Sequence, residues 1–268
     1  MKNTANINPD LCIGCGMCSY DCPQACFELK ENRSVFIGNT CIGCGHCACI
    51  CPAGAITLND DSIYDYIETA SLDHLIDPET LENFMQTRRS IRHFTNAPVT
   101  VEEINALLDA GRYAPTAVNS QDVKYTVVLK EMDKFRDLMW EGYRNLIDAT
   151  RETNPVRADH LYRRVAALEA DPNDDQMVFG AKAAIFIDSS RWALDAGIAA
   201  AYIELKAHSM GLGVLFSGYS TIVLDYNAEA AEWLGFTEKK PSVCLLVGHP
   251  AVEYKRVPKR KPANVTYK

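Results

Sequence analysis

Apolar and polar positions divide the chain into two parts of different character. In the longer part, short apolar runs alternate with longer amphipathic stretches. The runs "KYTVVLK" (124–130), "AAIFID" (183–188), "GVLFSG" (213–218) and "VCLLVG" (243–248) predict strands. A helix is predicted in "DPETLENFMQTRRS", with Asp77 as N-cap, Pro78 in the first helical position, and Leu81, Phe84 and Met85 at helical spacing. A second helix starts at Thr100, where Glu103 completes a capping box ahead of "INALLDAGRYAP". "LMWEGYRNLI" and "ADHLYRRVAALEA" read as amphipathic helices. In "RWALDAGIAAAYIELKAHSMG" small and apolar residues are so dense that burial on more than one face is expected. The pattern predicts an α+β domain, a central sheet flanked by helices.

Before it, "AITLNDD" closes a smaller, cysteine-rich module with a short strand ending near Leu58, and the polar stretch "NDDSIYDYIETASLDHLID" follows. The expected organisation is a small domain over 1–59, a linker over 60–77 and the α+β domain over 78–268.

Composition narrows the class. With 47% hydrophobic and 23% charged residues, the 268-residue chain has the balance of a soluble globular protein with a sizeable core. A net charge of -8 argues against a nucleic-acid partner, which favours a basic face; only the end of the chain, "YKRVPKRKPANVTYK", is locally basic. The polar start "MKNTANINPD" and the lack of any apolar run near the roughly 20 residues that span a bilayer lead to the expectation of no signal peptide, no membrane association and a cytoplasmic location. In that setting, 11 cysteines read as metal ligands rather than a disulfide framework.

Their spacing is specific. The motif C-x2-C-x2-C-x3-C-P occurs twice: Cys12, Cys15, Cys18, Cys22 and Pro23, then Cys41, Cys44, Cys47, Cys51 and Pro52. Closely spaced thiolates on a tight loop can wrap one iron–sulfur cubane, and Gly14, Gly16, Gly43 and Gly45 allow turns that aim N–H groups at its sulfurs. CxxC pairs also bind zinc, but two in-register four-cysteine copies favour two [4Fe-4S] clusters. The repeat resembles the bacterial two-cluster ferredoxins, in which the fourth cysteine crosses over. That resemblance implies one cluster on Cys12, Cys15, Cys18 and Cys51 and another on Cys41, Cys44, Cys47 and Cys22. Superposing the copies sets Cys26 on Ala55 and Cys49 on Tyr20, so both cysteines are expected to be packing residues. Cys244, in an apolar run, is expected to be buried and inert, and His46 to be a surface histidine.

After the linker, "RRSIRHF" from Arg88, "GRYAPTAVNSQ" from Gly111, "DAGIAAAYIELKAHSMGLGV" from Asp195 and the late "PKRKP" follow the order of motifs in the nitroreductase family of FMN enzymes. The resemblance covers roughly residues 78 to 268, and the whole chain resembles the ferredoxin-nitroreductase fusions. It implies that Arg88, Arg89, Ser90 and Arg92 hold the phosphate, ribityl chain and pyrimidine edge of FMN, with Arg260 and Lys259 as further phosphate contacts. A guanidinium suits a phosphate because it is planar and always charged. Pro115, Thr116, Ala117 and Asn119 match a segment that contacts FMN from the partner subunit, which implies a homodimer. Threonine and alanine replace the family's serines there, and "SQDVKY" lacks the tryptophan that often follows. Leu215, Phe216, Ser217 and Gly218 match the segment beside the flavin ring.

The segment from about Phe135 to Asp175 is expected to form a substrate lid, with Trp140, Tyr143, Tyr162 and Arg163 as candidate aromatic contacts. The functional expectation is an oxidoreductase passing electrons through the two clusters to FMN and reducing a small electrophile such as a nitroaromatic or quinone. Reduced ferredoxin and NAD(P)H are both open as external donors. An electron-transfer module serving a protein partner, and a reductive dehalogenase or ene reductase on the same fold, are the alternatives. No Ser-His-Asp arrangement is suggested by the scattered histidines, as expected where cofactors carry the chemistry.

Overall fold

The computed structural model describes residues 4–38, 40–59, 61 and 76–268. The expected linker over 60–77 therefore lies largely outside the described residues. The chain forms two compact units: Met1–Ile76 together with Thr116–Ser120, and Asp77–Pro115 together with Gln121–Lys268.

In the first unit, β1 (Ala5–Ile7) pairs antiparallel with β4 (Ile56–Leu58), while β2 (Phe27–Lys30) and β3 (Arg33–Phe36) form a hairpin. Short helices α1 (Met17–Asp21) and α2 (His46–Cys49) follow the two cysteine loops. Both are entered through glycines in the left-handed region, Gly16 at φ 75° and Gly45 at φ 78°, a conformation other residues adopt only with strain. A small core of Phe27, Ile56 and Leu58 packs with Cys18, Cys26 and Cys47.

The second unit is built on a four-stranded antiparallel sheet of order β5 (Val123–Val128), β6 (Ala183–Ser189), β8 (Val243–Gly248), β7 (Gly213–Phe216). All four expected strands are present. The central pair alternates strictly. Ala184, Phe186, Cys244 and Leu246 face one core, formed with α5 (Met132–Thr153), α6 (Pro155–Ala170) and α9 (Ala228–Leu234). Ile185, Ile187, Leu245 and Val247 face the other, formed with α4 (Val101–Gly111) and α7 (Ala193–Ser209). These run as continuous apolar sequence because both faces are covered, and each fully buried side chain of this size contributes roughly 1.5–3 kcal/mol.

Local signals explain the helix ends. The Asp77 carboxylate accepts from Thr80 N–H at 2.8 Å to cap α3 (Pro78–Thr87), and Thr100 and Glu103 close both bonds of a capping box on α4. One expectation is met on one side only within a single chain, and one requires correction. Helix α7 buries a single stripe, Asp195, Ala196, Ala199, Ala200, Ile203 and Ala207, while Leu194 and Tyr202 on its other side are 69% and 42% exposed. Trp140 and Tyr143 are core residues, 2% and 0% exposed, so they are not free to contact a substrate. Their polar ends are satisfied internally, Trp140 Nε1–H by Asp175 at 2.9 Å and Tyr143 O–H by the Leu161 carbonyl at 3.2 Å.

Candidate functional site

The two cysteine loops line separate cavities. Cys12, Cys15 and Cys18 line the first, together with Cys51 from the second motif. Cys41, Cys44 and Cys47 line the other, together with Cys22 from the first motif. The crossing follows from the short helices: each fourth cysteine lies beyond its helix, carried away from its own loop.

Backbone N–H groups serve the sulfurs in a repeated way. Cys26 N–H donates to Cys22 Sγ and Ala55 N–H to Cys51 Sγ, each at 3.3 Å and four residues downstream. Gly43 N–H approaches Cys41 Sγ and Ser34 N–H approaches Cys12 Sγ, each at 3.5 Å. Such donors favour thiolate over thiol: the Ser34 and Gly14 N–H groups hold the Cys12 thiol below its usual range. Burial acts in the opposite direction on Cys47, pushed up to about 12, so occupation of the second cavity by a thiolate-bound group must displace a proton. Two quartets of sulfur donors, each supplied with N–H groups, fit a cubane cluster.

Of the leftover cysteines, Cys26 is fully buried, in close contact with Gly38, and also borders the second cavity. Cys49 is exposed, and Cys244 is buried, its thiol pushed far up by desolvation. His46 is on the surface, its Nδ1 3.2 Å from the Asp21 carboxylate.

In the second unit, residues from opposite ends of the domain sequence converge. Arg88 and Arg89 share a cavity of about 580 Å³ with Lys259 and Arg260. The extended segment carrying the arginines lies beside β7, with Ser90 bridging Val214 in parallel and Ile91 N–H donating to the Val214 carbonyl at 3.0 Å. Arg88 is held by Glu204 on α7 at 2.8 Å. Burial pushes the Glu204 carboxyl up while Arg88 opposes the shift. The guanidinium retains donors beyond the one given to Glu204. Four cationic side chains around one cavity fit a phosphate group.

Arg92 is exposed and lines a different cavity, of about 870 Å³, with Arg136 and Asp175. The Leu215 side chain is in the core, leaving only its backbone to meet a ligand, and Phe216 is 41% exposed. Ser217 caps α8 (Gly218–Ile222), and its hydroxyl bonds Ser220 Oγ at 2.7 Å. A Cβ at Gly218 would project into open space, so the protein's own packing does not require glycine there.

Pro115, Thr116, Ala117 and Asn119 straddle the two units. Pro115 belongs to the second, the others to the first, where the Asn119 amide donates to the carbonyls of Ile42 and Gly43. Sequence reasoning missed this contact, along with Ser34, buried against Cys12 and Cys18, and Glu204. Glu204 alone left a local signal, a carboxylate within the apolar middle turns of α7.

The nitroreductase family profile matches residues 85–249. The chain belongs to the nitroreductase family. A 4Fe-4S dicluster domain matches residues 4–63, so the chain joins a ferredoxin-type domain to a nitroreductase domain. Two curated relatives from Bacillus subtilis (strain 168) are an FMN reductase [NAD(P)H], 27% identical over 61% of this chain and 63% of its own, and an FMN reductase (NADPH), 28% identical over 64% and 66%. The match thus spans under two thirds of either relative. A nitroreductase with bound FMN from Desulfitobacterium hafniense DCB-2 shares the fold with a TM-score of 0.55 at 23% identity, covering 72% of this chain and 99% of that one. A nitroreductase with bound FMN from Bacteroides fragilis NCTC 9343 superposes with a TM-score of 0.53 at 20% identity, covering 71% and 99%. No helix among the described residues is long and apolar enough to cross a membrane.

Proposed function

We propose that this nitroreductase-family chain is an FMN- and iron–sulfur-dependent oxidoreductase that reduces a small electrophile, with nitroaromatics and quinones as the substrate class. The observation that carries this reading is the convergence of Arg88 and Arg89 with Lys259 and Arg260 on one cavity. Their charges anchor the phosphate of FMN, and Glu204 keeps the Arg88 fork oriented toward that task. When bound, the flavin accepts electrons singly from clusters and delivers two to a substrate. Ser90, which bridges Val214 of β7, and the backbone of Leu215 to Gly218, which runs from the end of β7 into α8, meet the polar rim of the ring, while Arg92 serves a separate, larger cavity. Thr116, Ala117 and Asn119 complete the flavin site of the partner subunit in a homodimer. The exposed Leu194 and Tyr202 on α7 support that assembly, since they form an apolar stripe that a second copy covers.

Cys12, Cys15, Cys18 and Cys51 bind one [4Fe-4S] cluster, and Cys41, Cys44, Cys47 and Cys22 the other, which suits the chain to a one-electron donor such as reduced ferredoxin; NAD(P)H is the second candidate donor. Anaerobic protein is expected to hold about eight irons per chain, the content of two such clusters. Cys51→Ser is expected to damage the cluster bound by Cys12, Cys15 and Cys18, read by electron paramagnetic resonance of the reduced protein. Loss of the other cluster alone would overturn the crossed pairing. Turnover of a nitroaromatic and a quinone with reduced ferredoxin, NADH and NADPH tests the activity. Failure of every donor to support reduction of either substrate would sink the enzymatic reading in favour of a module serving a protein partner.

A further inference from the structure

The two cysteine loops repeat in sequence but are held by different parts of the chain. In the first, Arg33 on β3 donates from Nη1 to the Cys12 carbonyl at 2.9 Å, and Gly14 packs so closely beneath the Asn32 carbonyl that a Cβ would stand 2.1 Å from its oxygen. The β2–β3 turn thus clamps that loop from within the module. In the second loop Cys41 and Gly43 occupy the corresponding positions, and the peptide units of Ile42 and Gly43 are the ones held. Their carbonyls receive the Asn119 amide, at 3.2 Å and 3.0 Å, from a residue more than 70 positions later. Pro115 and Gln121, on either side of this segment in sequence, belong to the other compact unit.

The segment is bent to make this contact. Val118 at φ 50°, Asn119 at φ 54° and Gln121 at φ 47° all occupy the left-handed region. For the β-branched Val118 this is an unfavourable conformation, which persists only where the surroundings hold the chain in place. Asparagine tolerates it best, and its NH2 group has two hydrogens, matching two consecutive carbonyls.

We propose that Asn119 is a positioning residue for the second cluster: its amide fixes the Ile42 and Gly43 peptide units, and so aims the Gly43 N–H at the sulfur of Cys41. The inference rests on the two-cluster reading above and adds that the clusters are not equivalent. Arg33 supports the first from inside its module, while Asn119 supports the second from a segment embedded in the nitroreductase sequence. Hydrogen bonds to cluster sulfurs and loop orientation both tune a cluster's potential, so the second cluster alone responds to Asn119.

The test uses anaerobic holoprotein. Asn119→Asp preserves size and tolerance of the left-handed conformation but removes both donors; Asn119→Ala removes the side chain, and Arg33→Ala is the reciprocal change. Cys44→Ser marks the second cluster's signal in a potentiometric electron paramagnetic resonance titration, and hydrogen exchange reads the loops directly. Both Asn119 variants are expected to shift the potential of the Cys44-marked cluster and raise exchange across 41–47, leaving 12–18 unchanged; Arg33→Ala should reverse the pattern. Wild-type protein with two clusters, and Asn119 variants unaltered in that potential and in exchange over 41–47, would overturn the proposal alone. Equal perturbation of both loops would overturn it too. Wild-type protein that takes up no iron would overturn the two-cluster reading and this inference with it.

Discussion

Arg88 is held in an ion pair before any ligand arrives. Glu204 is mostly buried, and a buried carboxylate is tolerated because the guanidinium beside it supplies charge and a hydrogen bond. In the proposed FMN site, removing Arg88 would therefore have two effects, loss of a phosphate donor and release of a buried acid, whereas removing the exposed Arg260 would have only the first. Arg260→Ala is expected to weaken FMN binding roughly tenfold to a hundredfold, the equivalent of one charged hydrogen bond of about 1.5–3 kcal/mol. Arg88→Ala is expected to weaken it at least as much and also to lower the thermal midpoint, while Arg260→Ala leaves that midpoint in place. Fluorescence titration of apoprotein with FMN, paired with a thermal melt without FMN, separates the effects. Unchanged FMN affinity in both variants would remove these residues from the site.

Elements set by local rules were legible in the sequence. The strands appeared as short apolar runs because a sheet covered on both faces needs continuous apolar sequence, and the α4 capping box was visible because its partners are three residues apart. Thr100→Ala is expected to destabilise the protein by about 1 kcal/mol, as a lower midpoint in chemical denaturation with an unchanged slope. No effect would mean that tertiary packing alone fixes the start of α4. What the pattern concealed was which apolar face finds a partner. The indole of Trp140 and the ring of Tyr143 look the same in a lid as in a core, and it is their burial, with bonds to Asp175 and Leu161, that distinguishes the two. In α7 the density of small and apolar residues suggested burial on more than one face, yet one side remains open within the chain. The grouping of the cysteines around two cavities was readable from spacing and family resemblance, whereas the supports of their loops were not, because Ser34 and Asn119 reach them through folding rather than through any motif.

On the scale of the whole molecule, the division into units does not follow the order of the sequence. Thr116–Ser120, the segment expected to contact FMN, folds with the cysteine-rich unit. A chain beginning at Ile76 keeps Asp77, the cap of α3, and both cores on the sheet of the nitroreductase domain, so it is expected to fold and to bind FMN through Arg88, Arg89, Lys259 and Arg260. It loses the Ile42 and Gly43 carbonyls, and with them the hydrogen bonds that anchor Asn119, which like its neighbour Val118 is in the left-handed region. Residues 116–121 should therefore exchange their amide hydrogens faster than in the full chain, while β6 and β8 remain protected. If the cysteine-bound clusters are the entry port for single electrons, the shortened protein should still reduce a nitroaromatic or quinone with an artificial reductant that reaches the flavin directly, while losing turnover driven by reduced ferredoxin. Measuring both rates on the same preparation, together with its FMN content, distinguishes a severed electron path from a damaged flavin site. A truncated protein that kept its full ferredoxin-driven rate would show that electrons enter at the flavin, and the order from donor through clusters to FMN would have to be abandoned.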